Sequence, residues 1–251
     1  MNNKLLSHLI LLLCIAWLTP VMAALPDYSA YDDLLLNYVN NGFVDYDGIA
    51  ADGRLDDFIR QLGETRPEDL TDPDTEKAFY INAYNAIAIR GILNGYSASN
   101  AWNRYRFFKG MKVSVLGHKT SLNDIEHERL RPMGDPRIHF AIVCASLSCP
   151  RLSSHAYRPE QLDAQLDSAA RLFINDPTRN RFDHKRRKAF LSAIFDWFGD
   201  DFSAKSGSVQ RYLAAWVQDP DAERLLKTDS FDVSFNEYDW GLNGLHQHSG
   251  D

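Results

Sequence analysis

The run RIHFAIVCASLSCPRL, residues 137–152, places His139 five residues before Cys144, and Cys149 five residues after it. Attack by a cysteine on a carbonyl needs a thiolate, a base to generate it and a group that holds the base. Cys144 is the candidate nucleophile and His139 the candidate base. Cys144 falls where the apolar run gives way to Ala145-Ser146-Leu147-Ser148. Its sulfur is therefore expected at the mouth of a cleft, near backbone N–H groups that lower a thiol pKa and can hold an oxyanion. SLNDIEHERLR, residues 121–131, offers Glu126 to orient the His139 ring and His127 as a second candidate base. Asn82, on an apolar segment upstream, is a candidate oxyanion donor, and Arg137 and Arg151 could hold a substrate carboxylate bidentately. This set implies hydrolysis or acyl transfer on an amide, small peptide or thioester without a cofactor.

The same atoms admit other chemistry. His127, His139, Cys144 and Cys149 form an acceptable tetrahedral zinc set, but their spacings of twelve, five and five lack the short paired knuckle of zinc sites. A Cys144–Cys149 disulfide could close a small loop, as a structural bridge in a noncatalytic binding domain or as a reversible redox pair. Ser146 and Ser148 sit in no G-x-S-x-G elbow. His118, His155, His184, His246 and His248 lie in turns, polar loops or the tail and read as surface residues.

The elements that position these groups follow from periodicity and punctuation. Residues 27–64 read as two helices around the turn-rich NNG and DYDG segments. Residues 71–96 open with Pro73 and acidic residues, stop at Gly95, and are apolar on all sides between, which predicts a central buried helix. Asn82 and Asn85 on it must find partners for their amides, and neighbouring backbone is the plain choice. Residues 112–121 suggest a short hairpin around Gly117, followed by a helix with Ser121 as cap and Asp124 three residues on. Residues 137–144 read as a buried strand; in a regular strand His139 and Cys144 would point to opposite faces unless the chain bends. Residues 159–174 return to a helical pattern, 181–191 suggest a second hairpin around HKRRK, and helical character runs over 209–226 before the strand and aromatic turn FDVSFNEYDWGLN. Trp197, Tyr238 and Trp240 read as core aromatics that could also line a groove.

Five of these segments in order, FYINAYNAIAI, SLNDIEHERLR, DPRIHFAIVCASLSCPRL, LSAIFDWFGDDF and YDWGLN, resemble the family called domain of unknown function 547. The resemblance implies a single domain and marks the region from His139 to Cys149 as the family's signature, while leaving activity to be read from residues. No repeat or linker divides the chain, so the expected architecture is one α+β domain over residues 24–251, with helices packed on a small, mostly antiparallel sheet. Thiol peptidases and transglutaminase-like enzymes share this logic, but there the cysteine precedes the histidine. A papain- or transglutaminase-like arrangement would therefore have to be permuted.

The first 23 residues combine Lys4, an apolar stretch and the ending Val21-Met22-Ala23, the pattern of a secretory signal peptide. Cys14 lacks the small residues that precede a lipid-bearing cysteine. The expectation is an exported, periplasmic protein with no transmembrane segment after cleavage. A net charge of -7, with the basic HKRRK run read as a solvated turn, argues against nucleic acid as a partner.

Overall fold

The computed structural model describes residues 25–245. The expected signal peptide with Cys14, and His246 and His248, lie outside the described residues. Helix α1 (Tyr28–Tyr38) is capped by Asp27, whose carboxylate accepts from the N–H groups of Ser29 and Ala30. A minimal hairpin follows, β1 (Val39–Asn40) against β2 (Phe43–Val44). Its turn residues Asn41 and Gly42 have φ of 53° and 88°, as a tight two-residue reversal requires. A Cβ on Gly42 would lie 2.6 Å from the Cβ of Arg151, so the turn also needs a glycine for close approach. Helices α2 (Tyr46–Ala50) and α3 (Arg54–Glu64) complete this region. The two polar clusters thus mark a hairpin and a short helix, where periodicity alone suggested only a break between two helices.

The expected central helix is α4 (Pro73–Leu93), with Asp72 as cap and Pro73 in the first turn. Every residue from Ala78 to Ile89 is buried, which is what a helix apolar on all sides demands. Helix α5 (Ala101–Tyr105) runs into a π turn at Arg106–Gly110. The hairpin of β3 (Val113–Val115) and β4 (His118–Thr120) forms as expected, and α6 (Leu122–Asp124) opens on the reciprocal Ser121/Asp124 capping box. A second π turn, Ile125–Leu130, continues α6.

Residues 137–144 are not a strand. Asp135 accepts from the Arg137 N–H, Pro136 supplies the fixed φ of a helical first turn, and Pro136–Phe140 winds as a 3₁₀ helix. The apolar run is buried on every side, and such a run carries no period that separates helix from strand. Helix α7 (Leu162–Ile174) follows, then β5 (Arg181–Asp183) and β6 (Lys188–Leu191), the expected second hairpin. Four short helices come next: α8 (Ile194–Trp197), α9 (Gly199–Ser206), α10 (Val209–Ala214) and α11 (Pro220–Leu226). The helical character of 209–226 is split because Asp219 and Pro220 start a fresh helix. Strand β7 (Asp232–Phe235) joins β6 in parallel, in a three-stranded sheet ordered β5-β6-β7. The fold is mixed helix and small sheets in one domain, as the sequence implies.

Two apolar cores lie side by side. One surrounds α4 and takes in α1, α3, Ile138, Ala141, Ile142 and Val143. The other gathers α7 to α11 and β6 around Phe140. The segment leading to Cys144 therefore runs along the seam between them, and Tyr238 packs against both.

Candidate active site

Cys144 is positioned by the amide of Asn85 and by the chain's closing segment. Asn85 Nδ2 donates to the Ala141 carbonyl at 3.0 Å and Oδ1 accepts from the Val143 N–H at 2.9 Å, both buried. Beyond Cys144, Ala145 adopts φ 60°, a left-handed conformation uncommon outside glycine, which turns the chain sharply after the cysteine. The following residues pair with the YDWGLN segment: Asn243 N–H donates to Ala145 O at 3.1 Å, and Leu147 N–H to Gly241 O at 2.7 Å. This pairing carries Tyr238 to the cysteines. Two of the sequence motifs, 94 positions apart at Cys144 and Tyr238, thus form one wall.

The sulfurs of Cys144 and Cys149 are joined in a disulfide. Cys149 is buried and Cys144 is half-buried. The Cys149 sulfur accepts from the Cys144 N–H at 2.9 Å and from the Tyr238 hydroxyl at 3.2 Å. Burial raises the Tyr238 pKa well above its ordinary value, so the hydroxyl stays a neutral donor.

These residues line a cleft of about 480 Å³ together with Glu126, His127, His139 and the aromatics Tyr105, Phe108, Trp197, Phe198 and Trp240. His139 is almost fully enclosed, its side chain 1% exposed, with its ring stacked on Phe198 at 4.0 Å. Its Nε2 lies 2.8 Å from Asp201 Oδ2. Burial lowers the His139 pKa and Asp201 raises it by less, so the imidazole is neutral at neutral pH. A neutral ring facing a carboxylate donates through Nε2, which makes Nδ1 the bare lone pair, and among the described residues Nδ1 has no partner. Asp201 is held in turn by Arg131, Nε to Oδ2 at 2.7 Å and Nη2 to Oδ1 at 2.9 Å. Hydrogen bonds from His139 and Arg131 hold the Asp201 carboxyl well below the usual range. Arg131 Nη1 also donates to His127 Nδ1 at 2.8 Å.

Glu126 is a second perturbed group. Burial pushes its carboxyl from 4.5 up to about 7, and its polar neighbour is the Tyr84 hydroxyl at 3.5 Å. A carboxyl that titrates near neutrality in a cleft is the pattern that general acid–base sites share.

Residues 67–174 match the model of the family described as "Protein of unknown function, DUF547". No curated protein and no solved structure matches the chain. The DUF547 match carries α4, both π turns, His139 and the two cysteines, whereas Asp201 and Tyr238 come from beyond it.

The structure brings Glu126, His127, His139, Cys144 and Cys149 to one cleft. Adjacent residues of a regular α-helix diverge by about 100°, which would turn one of Glu126 and His127 away from the cleft. Both instead reach the cleft: the wider π turn rotates them apart by less, leaving Glu126 buried within and His127 exposed at the edge. The ring of His139 is oriented by Asp201 and not by Glu126. Asn82 is not an oxyanion donor here: both its amide atoms are taken by the backbone of Tyr157, at 2.7 and 2.8 Å, and it is absent from the cleft wall. Arg137 is committed to Asp135, Asp163 and Asp167. Arg151 lies in a separate cavity of about 610 Å³, where it meets Asn41 and Asp176. The zinc set does not converge, since the sulfurs bond one another, and among the described residues no group of three His, Cys, Asp or Glu side chains is placed to hold a metal.

Asp201 and Arg131 were missed as functional residues, whereas Tyr238, read as a core aromatic that could also line a groove, does line the cleft. Asp201 and Tyr238 both lie in motifs that carry the family resemblance, and an acidic residue inside such a motif was the available signal for an orienting partner.

Proposed function

We propose that the protein is an exported, thiol-dependent hydrolase or acyl transferase acting on an amide, small peptide or thioester, with the Cys144–Cys149 disulfide as its closed form. The observation that carries the reading is His139: a neutral base held by Asp201, with an unpartnered Nδ1, in the wall of the cleft that contains Cys144. A dithiol reductant opens the site. Its thiolate attacks the half-exposed Cys144 sulfur, the Cys144–Cys149 bond breaks, and Cys149 leaves as a thiolate beside the Cys144 N–H and the Tyr238 hydroxyl. The reductant's second thiol then displaces Cys144 and closes the reductant's own disulfide, so two electrons and two protons pass to the pair. Cys144 next gives its proton to His139, and the imidazolium is stabilised by Asp201. The Cys144 sulfur bonds to the substrate carbonyl carbon, the leaving nitrogen or sulfur takes the proton from His139, and water or a second acceptor releases the acyl group.

The disulfide itself favours a second reading, a noncatalytic binding domain in which the bridge staples residues 144–149. A loop this short contributes about 2 kcal/mol to stability in the chain-entropy account.

The discriminating experiment compares oxidised and dithiothreitol-reduced protein on an acyl thioester and a peptide anilide. The hydrolase reading expects turnover only after reduction, with a loss of at least about 10³-fold in Cys144→Ala, a nucleophile deletion. Equal turnover by Cys144→Ala, or none by the reduced protein while reduction lowers stability, supports the binding domain.

A further inference from the structure

Between Glu76 and Asp124 the sequence holds seven lysines and arginines and no aspartate or glutamate, in a chain with net charge -7. The middle of this stretch is α5 with its π turn, and Arg104, Tyr105, Phe108 and Lys109 from it line the mouth of the cleft. On this lip, Trp102, which does not line the cleft, is 67% exposed, and Tyr105, which does, is 55% exposed. Their rings stack on each other with centroids 5.8 Å apart and 17° between planes, and no other ring pairs with Trp102 among the described residues.

The cations beside them are free of carboxylates. Lys112, at the base of the lip, pairs with Asp124, but among the described residues Arg104, Arg106 and Lys109 form no ion pair. Arg104 lies over the Trp240 ring at 4.6 Å and Arg106 over the Tyr96 ring at 5.3 Å, so their positive charge is carried on aromatic faces at the surface. The lip therefore combines unpaired cations with an exposed indole and phenol.

We propose that this lip docks the protein on an anionic phospholipid surface, with the mouth of the cleft turned toward the headgroups. An indole and a phenol are amphipathic rings that settle at headgroup level, and cations beside them add attraction to anionic lipid. The remainder of the molecule is acidic in sum but also exposes the basic turn Lys185-Arg186-Arg187-Lys188, so the orientation rests on the exposed rings and cations of the lip acting together. An acidic polypeptide would satisfy the cations but leave the stacked ring pair in water. Among the described residues no helix is long and apolar enough to cross a membrane. The proposal is independent of whether the cleft is catalytic.

The test is co-sedimentation of residues 24–251, which contain both cores, with vesicles of phosphatidylcholine alone or with about one-third phosphatidylglycerol. The expected result is at least about tenfold tighter binding to the anionic vesicles, abolished near 0.5 M salt. Trp102→Ala/Tyr105→Ala should weaken that binding about tenfold with an unchanged melting temperature, and Arg106→Glu/Lys109→Glu should remove it. The proposal is overturned if both vesicle types bind alike or if the aromatic variant binds as the parent does. It is also overturned if polyglutamate displaces the protein from vesicles and binds the aromatic variant as well as the parent; an acidic polypeptide would then be the partner.

Discussion

Asn85→Ala lowers the stability of the protein by about 2–4 kcal/mol, read as a shift in the urea midpoint at constant slope. The reason is local. The Asn85 amide is the hydrogen-bond partner of both the Ala141 carbonyl and the Val143 N–H, deep in the seam between the two cores. Truncation leaves one buried acceptor and one buried donor unsatisfied, each costing about 1–3 kcal/mol. Asn85→Asp separates the two: it keeps an acceptor for Val143, loses the donor to Ala141 and buries a charge, so it should be no milder than alanine. A cost below about 1 kcal/mol for Asn85→Ala would mean that the segment leading to Cys144 is held by something else. Loosening of that segment should also raise the exposure of Cys149.

Glu126→Gln stabilises the protein at pH 8 by about 3 kcal/mol and changes it little at pH 4. The sign follows from the direction of the shift. Burial raises the folded carboxyl from 4.5 to about 7. Below pH 4.5 the group is protonated in both states and costs nothing. Between pH 4.5 and about 7 the unfolded chain releases the proton while the folded chain retains it, so stability falls as pH rises, and above pH 7 the full cost is present. Glutamine removes the fall by holding a neutral amide in the same place. Chemical denaturation of both proteins from pH 4 to pH 8 gives the difference directly, and parallel curves would show that Glu126 is not burdened by burial. A carboxyl raised toward neutrality by burial, inside a cleft beside a histidine–aspartate pair, is a pattern that acid–base sites share.

Much of the scaffold was legible because its signals are local. Asp72-Pro73 and the unbroken apolar run to Ile89 specify a capped, wholly buried helix, and Ser121 with Asp124 specifies a capping box. Gly117 and the HKRRK turn specify their hairpins. The bland expectation for Asn82 and Asn85, that their amides bridge to neighbouring backbone, matches what the amides do. The site was legible only in part. Residues 137–144 looked like a strand because β-branched and aromatic residues recur in the run, but Asp135-Pro136 had already set a helical start, and the seam buries both faces of whatever follows. Without the strand, the opposite-face objection to His139 and Cys144 no longer applies: both line one cleft, though neither is the other's hydrogen-bond partner. Asp201 stands 62 positions from His139, and Tyr238 stands 89 from Cys149. Pairings at that range depend on how the second core packs, which no periodicity in the sequence reports. The side-by-side cores, the parallel addition of β7 to β6 and the π turn that brings both Glu126 and His127 to the cleft are likewise products of packing.

The central claim is that, once the disulfide is opened, His139 and Asp201 hold Cys144 as an activated thiolate. The most direct measurement is the pH dependence of iodoacetamide alkylation of Cys144 in the reduced, folded protein, located by peptide mass, in the parent and in His139→Gln. The account expects a half-maximal rate at least about one pH unit below the 8.5 of an ordinary thiol, and a return toward 8.5 in His139→Gln. A midpoint at or above 8.5 in the parent, unmoved by His139→Gln, would contradict it.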